Sequence, residues 1–286
     1  MDANAVIHRW DRLRTMKRAR EVLDPDSRKP FITLSWAGRN ESAAELAPRV
    51  EATTNRVLAQ YEGAPAVWFQ SPTDLGQDPV HLPCDLPALT DLLQDSFDRT
   101  LGDYSSRTSL SLFIDEDPPK LDRTSTSLSL AAGSGERNTV TLRLTEEFPL
   151  GSPSQAARLL LDLTRIWQPD SAELMTVSAA RDTLGKGPYN HVAYMLWTSN
   201  KTYDPSPEVD GEIALPHGEG RLHVAKLWTD QAVVALYEQL GQAGTVRASA
   251  ESDLQDLPHV PEGYPDQLKD LDSLVSWGDA VLPRQD

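Results

Sequence analysis

Carboxylates are the side chains whose type and spacing bear most directly on chemistry in this sequence. Asp74, Asp78 and Asp85 punctuate a Pro- and Asp-rich stretch from Ser71 to Pro87, and Asp91, Asp95 and Asp98 follow at helical spacing. Asp115, Glu116 and Asp117 stand consecutively before Pro118 and Pro119. Three adjacent acids could hold Mg²⁺ or Ca²⁺, which take oxygen ligands. In a turn stopped by prolines they serve more simply as a solvated corner or as a surface facing a basic partner.

Other residue types give less. His217 and His223 flank a proposed hairpin, without an HExxH pattern, a cysteine pair or a carboxylate pattern that would complete a zinc site. Cys84 is the single cysteine, which excludes an internal disulfide, and no sequence signal pairs it with a histidine. Gly133-Ser134-Gly135 joins two strand patterns, whereas a phosphate-binding glycine loop leaves a strand and opens a helix. Gly185-Lys186-Gly187-Pro188 lacks the upstream glycine and the following Ser or Thr of a P-loop, and no G-x-S-x-G elbow is present. No catalytic constellation and no cofactor motif emerges.

Charge narrows the partners. The 286 residues carry 43 acidic and 27 basic side chains, a formal charge of -16, with a pI near 4.7. Phosphate neutralisation needs clustered Lys and Arg, so direct nucleic-acid binding is not expected and a basic partner is. The acidity also has a plain reading as a solubility device. No continuous apolar run at the N-terminus or elsewhere suits a signal peptide or a membrane span, which points to a cytoplasmic protein with no membrane partner.

The elements that must position these groups follow from periodicity. Ala3, Val6, Ile7, Trp10, Leu13 and Met16 recur at helical spacing among arginines and lysines, predicting a basic helix over about 3–21. Phe31, Ile32, Leu34 and Trp36 predict a strand, apolar on both faces at its start. A helix opening on the capping pair Ser42 and Glu45 follows, with Pro48 expected to kink or restart it and Gly63 to close it. Ala66 to Phe69 predicts a second strand, Leu86 to Leu101 a helix, and Ser109 to Ile114 a strand running into the acidic corner. Alternation over Thr124–Ala131 and Val140–Leu144 predicts an antiparallel hairpin. A helix over Ser154–Trp167, strands at Glu173–Ser178 and His191–Thr198, a hairpin of Glu212–Leu215 with Leu222–Trp228, and a helix over Asp230–Leu240 complete the body. The tail, about 251–286, is acidic, with an amphipathic helix at Pro265–Trp277 that docks. Successive strands without intervening helices predict an α+β fold, a mainly antiparallel sheet with helices packed against it. No linker divides the chain, so one domain spanning 1–286 is expected.

A strand ending Trp36-x-Gly38-Arg39, a helix carrying Glu41, Glu45, Ala47 and Arg49, and the pair Trp68-Phe69 resemble the immunity protein 52 family of bacterial polymorphic-toxin antidotes. Gly133 with Asn138, Trp167-Gln168-Pro169-Asp170 and a late hairpin before a helix at about 229–240 fit in the same order, so the resemblance spans roughly 30–245. It implies an immunity protein that binds and neutralises a cognate toxin, with a basic restriction-endonuclease-like nuclease domain as partner and type VI secretion as one route of delivery. It implies no cofactor and no catalysis. The toxin-facing surface is then expected on Asp74, Asp78, Asp85, Asp91, Asp95, Asp115, Glu116 and Asp117. Trp36, Gly38, Arg39, Trp68, Phe69, Gly133, Asn138 and Trp167 are expected to be structural. The competing class is an enzyme or a general protein-binding adaptor, which accounts better for the length.

Overall fold

The computed structural model describes residues 16–23, 29–61, 65–72, 77–99, 108–116, 119, 125–133, 137–183, 193–203, 209–242 and 257–278. Strands run at Pro30–Ala37 (β1), Ala66–Gln70 (β2), Val80–His81 (β3), Thr108–Glu116 (β4), Ser127–Ala132 (β5), Arg137–Arg143 (β6), Ser171–Thr176 (β7), Met195–Ser199 (β8), Glu212–Pro216 (β9) and Gly220–Ala225 (β10). They form a ten-stranded sheet in the order β3-β2-β4-β5-β6-β1-β7-β8-β10-β9. Every neighbouring pair is antiparallel. The α+β class and the mainly antiparallel sheet expected from the sequence are what the chain adopts.

Helices lie at Ala19–Val22 (α1), Ala43–Leu58 (α2), Leu86–Arg99 (α3), Pro153–Trp167 (α4), Val177–Thr183 (α5), Asp230–Gln242 (α6) and Leu271–Leu274 (α7). Each longer helix starts where its sequence provides a partner for unpaired backbone donors. At α2, Glu45 Oε2 accepts from Ser42 N at 2.8 Å, and at α4 Gln155 Oε1 accepts from Ser152 N at 2.8 Å, both within capping boxes. No helix among the described residues is long and apolar enough to cross a membrane.

Strand β1 organises the core. Its side chains alternate, with Ile32, Leu34 and Trp36 buried and Phe31, Thr33 and Ser35 half-buried on the opposite face. The buried set meets Leu46, Ala47 and Val50 of α2 and Leu159, Leu160 and Leu163 of α4 within one apolar cluster. That cluster extends through Leu110, Leu112, Leu128, Leu130, Val140 and Leu142 of β4, β5 and β6, and over Leu89 and Leu93 of α3. Cross-strand partners share a face in an antiparallel sheet, so the registers place Ser111, Ser129, Thr141, Thr33 and Glu173 in one row on the side away from α2, α3 and α4.

Several expectations are corrected. Helix α2 is continuous through Pro48. The proline is exposed on its outer side and removes one donor, while Leu46, Ala47 and Val50 hold the opposite stripe in the core. Met16 to Arg18 are not helical, so the basic helix does not reach residue 21 unbroken, and its residues before 16 lie outside those described. Strand β7 stops at Thr176 because that residue's Oγ1 caps the next helix, accepting from Ala179 N at 3.2 Å, which moves Val177 and Ser178 into α5. The tail helix is shorter than expected. A 3-10 turn at Asp266–Asp270 leads into α7, and Val275 is already extended. Its described part docks, burying Val260, Leu268, Leu271 and Val275. The closing role expected of Gly63 falls outside the described residues.

Candidate functional site

The residues that carry the family resemblance converge on one buried tie between the end of β1, the start of α2 and the end of α4. Trp36 and Trp167 stack with ring centroids 5.4 Å apart, and both are buried. Trp36 Nε1 donates to Glu41 Oε2 at 3.3 Å and Trp167 Nε1 to Thr53 Oγ1 at 2.7 Å, so neither indole leaves a donor unpaired. Arg39 lies over the Trp36 ring, 5.5 Å from its centroid, and donates to the carbonyls of Trp167, at 3.0 Å, and Gln168. A cation at these terminal carbonyls satisfies orphan acceptors and complements the helix dipole. Burial brings the Arg39 guanidinium down to about 10. Glu41 pairs in turn with Arg49. Asp170 holds the strand end, accepting from Ala37 N at 2.7 Å and Thr202 Oγ1 at 2.8 Å, and Asn138 Nδ2 donates to Ala37 O at 3.3 Å.

The remaining motif residues act in packing. Trp68 is buried and donates from Nε1 to Thr54 O at 3.1 Å. Gly133 has φ +88°, and a Cβ there would lie 2.4 Å from the Phe97 ring and 2.9 Å from Glu41 O, so only glycine fits. Gly38 is buried beside the tie. Phe69 sits on the opposite face of the sheet from Trp68, against Phe113 at 5.5 Å and His81 at 4.6 Å. The motif is thus a scaffold, and Phe69 is its one described member on the far face.

The expected partner-facing carboxylates are not on one surface. Asp85 heads α3 and its Oδ1 accepts from Ala88 N at 2.9 Å, so it works as a cap. Asp91, Asp95 and Asp98 are exposed on the outer side of the same helix, whose inner side carries buried Leu89 and Leu93. Asp78 is exposed in the segment before β3, and Asp74 and Asp117 lie outside the described residues. Asp115 and Glu116 are not in a turn: β4 extends through both, paired with Val67 and Ala66 of β2. Since Ile114 enters the core under α3, strand alternation sends half-buried Asp115 to the opposite face.

Two polar constellations escaped sequence reasoning. Asp162, in the buried stripe of α4, accepts from Arg56 Nε at 2.6 Å, Arg165 Nη2 at 2.9 Å and Tyr264 Oη at 2.9 Å, tying α2, α4 and the tail. A lone acid inside an apolar helical stripe is the signal that marks it. His223 pairs through Nδ1 with Glu212, and its Nε2 lies 3.3 Å from Thr198 Oγ1, joining β9, β10 and β8. His217 is buried, and burial lowers its pKa. Among the described residues no group of three His, Cys, Asp or Glu side chains is placed to hold a metal ion.

The fold and this tie define the chain as an α+β protein whose ten-stranded sheet has a helical layer over one face of its β4-to-β7 portion. No protein family and no curated protein matches it. Among solved structures, a Pseudomonas aeruginosa T6SS protein is similar at a TM-score of 0.47 and 10% identity, over 85% of this chain and 81% of that one. A likeness of that depth assigns neither family nor activity.

Proposed function

We propose that the protein is an immunity protein that binds and neutralises a cognate bacterial toxin, a nuclease effector delivered by type VI secretion, as the immunity protein 52 resemblance implies. TsiT acting on TseT is the pattern of such a pair. The observation that carries the reading is the exposed row of Asp91, Asp95 and Asp98 on a helix fixed in the core by Leu89 and Leu93. A nuclease presents cations to phosphates, and carboxylates on a rigid helix occupy that groove without reorganisation. Charge complementarity accelerates encounter, while packed contacts set the lifetime of the complex.

The test uses the product of the reading frame adjacent to this gene as the toxin. Survival on co-expression and co-purification of the pair are expected. Asp91→Lys with Asp95→Lys should slow association at low salt by about tenfold. Asp115→Lys, on the opposite face of the sheet, should leave the rate unchanged. An unaltered association rate and full protection in the α3 variant, with its melting intact, would refute this placement.

A further inference from the structure

Most described cations of this acidic chain are engaged. Lys17, Arg18, Arg20, Arg49, Arg56, Arg165, Arg181 and Lys201 form ion pairs. Arg39, Arg99 and Lys226 donate to carbonyls, and Arg158 lies over Tyr264. Among the described residues, Lys29, Arg137, Arg143, Arg221 and Lys269 have no side-chain hydrogen bond or ion pair, although Arg137 acts through its charge on Glu173. The first four share one face.

Register fixes that face. Arg143 aligns with Phe31 of β1, Arg137 with Ala37, and Arg221 with Thr198 of β8, which aligns with Ser171 and hence Ser35. All lie on the side away from α2, α3 and α4, and Lys29 joins them at the head of β1. Lys29, Phe31, Thr33, Thr141, Arg143 and exposed Val177 line a groove of about 380 Å³. A smaller hollow of about 100 Å³ continues along the same strand, where Asp170 lines it together with Ser35, Ala37, Arg137, Ser171 and Tyr203. The carboxylates on this face are few: Glu212 is taken by His223, Asp170 accepts from Ala37 N and Thr202 Oγ1, Asp115 lies two strands beyond β6, and half-buried Glu173, between Thr33 and Leu196, feels the charge of Arg137.

We infer that this face binds an acidic peptide segment of a partner protein, its carboxylates at Lys29, Arg143 and Arg137 and an apolar side chain between Phe31 and Val177. The inference does not rest on the toxin reading. Arg137 and Arg143, at the two ends of β6, are about 20 Å apart along the strand. An extended segment of about six residues covers that length. Leaving Lys29 and Arg143 unpaired in a chain of charge -16 forgoes attraction available within the molecule, which an external carboxylate then supplies.

The test measures anisotropy of a short fluorescein-labelled peptide of alternating Glu and Leu against the full chain at low salt. A Lys-for-Glu peptide and a labelled oligothymidylate serve as comparisons. Saturable binding of the acidic peptide is expected, weakened about tenfold by Lys29→Glu with Arg143→Glu and by added salt. Asp91→Lys with Asp95→Lys should not weaken it. If the double reversal fails to melt cooperatively, Arg137→Ala and Arg143→Ala give the same decision through their loss of affinity. Undiminished binding in these variants, no saturable binding, or tighter binding of the oligothymidylate would overturn the inference.

Discussion

Replacing Glu173 by Gln should stabilise the protein above neutral pH. Glu173 is central in β7, between Thr33 of β1 and Leu196 of β8, and among the described residues it has no hydrogen bond or ion pair. Burial pushes its carboxyl from 4.5 up to about 7, against the opposing influence of Arg137. The folded protein therefore holds a proton at this site between those values where the unfolded chain has lost it. Stability from this group is fully present below 4.5 and is lost as pH rises through 7. The displacement corresponds to about 3 kcal/mol, or about 2–3 kcal/mol once the half-buried side chain's partial contact with water is allowed for. Gln keeps the shape of the neutral acid and cannot ionise. Urea unfolding of both proteins, followed by tryptophan fluorescence from acid to mildly alkaline pH, should show the variant's advantage growing through that window and then levelling. A difference that does not change with pH, or a wild type more stable at the alkaline end, would refute the assignment.

Trp36→Ala should cost about 3–5 kcal/mol in the same unfolding assay, because a fully buried ring stacked on Trp167 is removed; wild-type melting would contradict its placement. Asp162→Ala should cost about 2–4 kcal/mol, less than a fully enclosed pair because Arg56 and Arg165 keep contact with water, and limited proteolysis should show the tail released at Tyr264. Gly220→Ala should destabilise by about 1–3 kcal/mol, since its Cβ would lie 2.2 Å from the Trp197 ring and 2.6 Å from Thr198 O; an unchanged urea midpoint would mean the strands separate freely there.

What the sequence made legible was local. The Ser42–Glu45 cap, the β5–β6 hairpin and the end of α4 before Pro169 each depend on residues a few positions apart, so their chemistry can be read directly. The tie around Arg39 could not be assembled that way, because its acceptors at Trp167 and Gln168 lie 128 and 129 positions away. Arg56 and Asp162, 106 positions apart, pose the same difficulty. The acidic residues illustrate a different limit. Proximity in sequence grouped Asp115 with Asp91 and Asp95, but extending β4 through Glu116 lets alternation put Asp115 on the other side. The surface of unpaired cations was invisible because strand alternation and long-range register jointly create it.

The central place of β1 has a consequence for how the protein is made. Both its neighbours arrive late: Trp36 pairs with Asn138 of β6, and Ser35 with Ser171 of β7. At about 5–20 residues per second, a ribosome adds the first of these neighbours roughly 5–20 s after β1. During that interval Ile32, Leu34 and Trp36 have no sheet to enter, and neither half of the sheet can be joined to the other. The newborn chain thus carries an unpaired apolar strand through much of its synthesis, making β1 the segment on which chaperone capture or premature aggregation would centre.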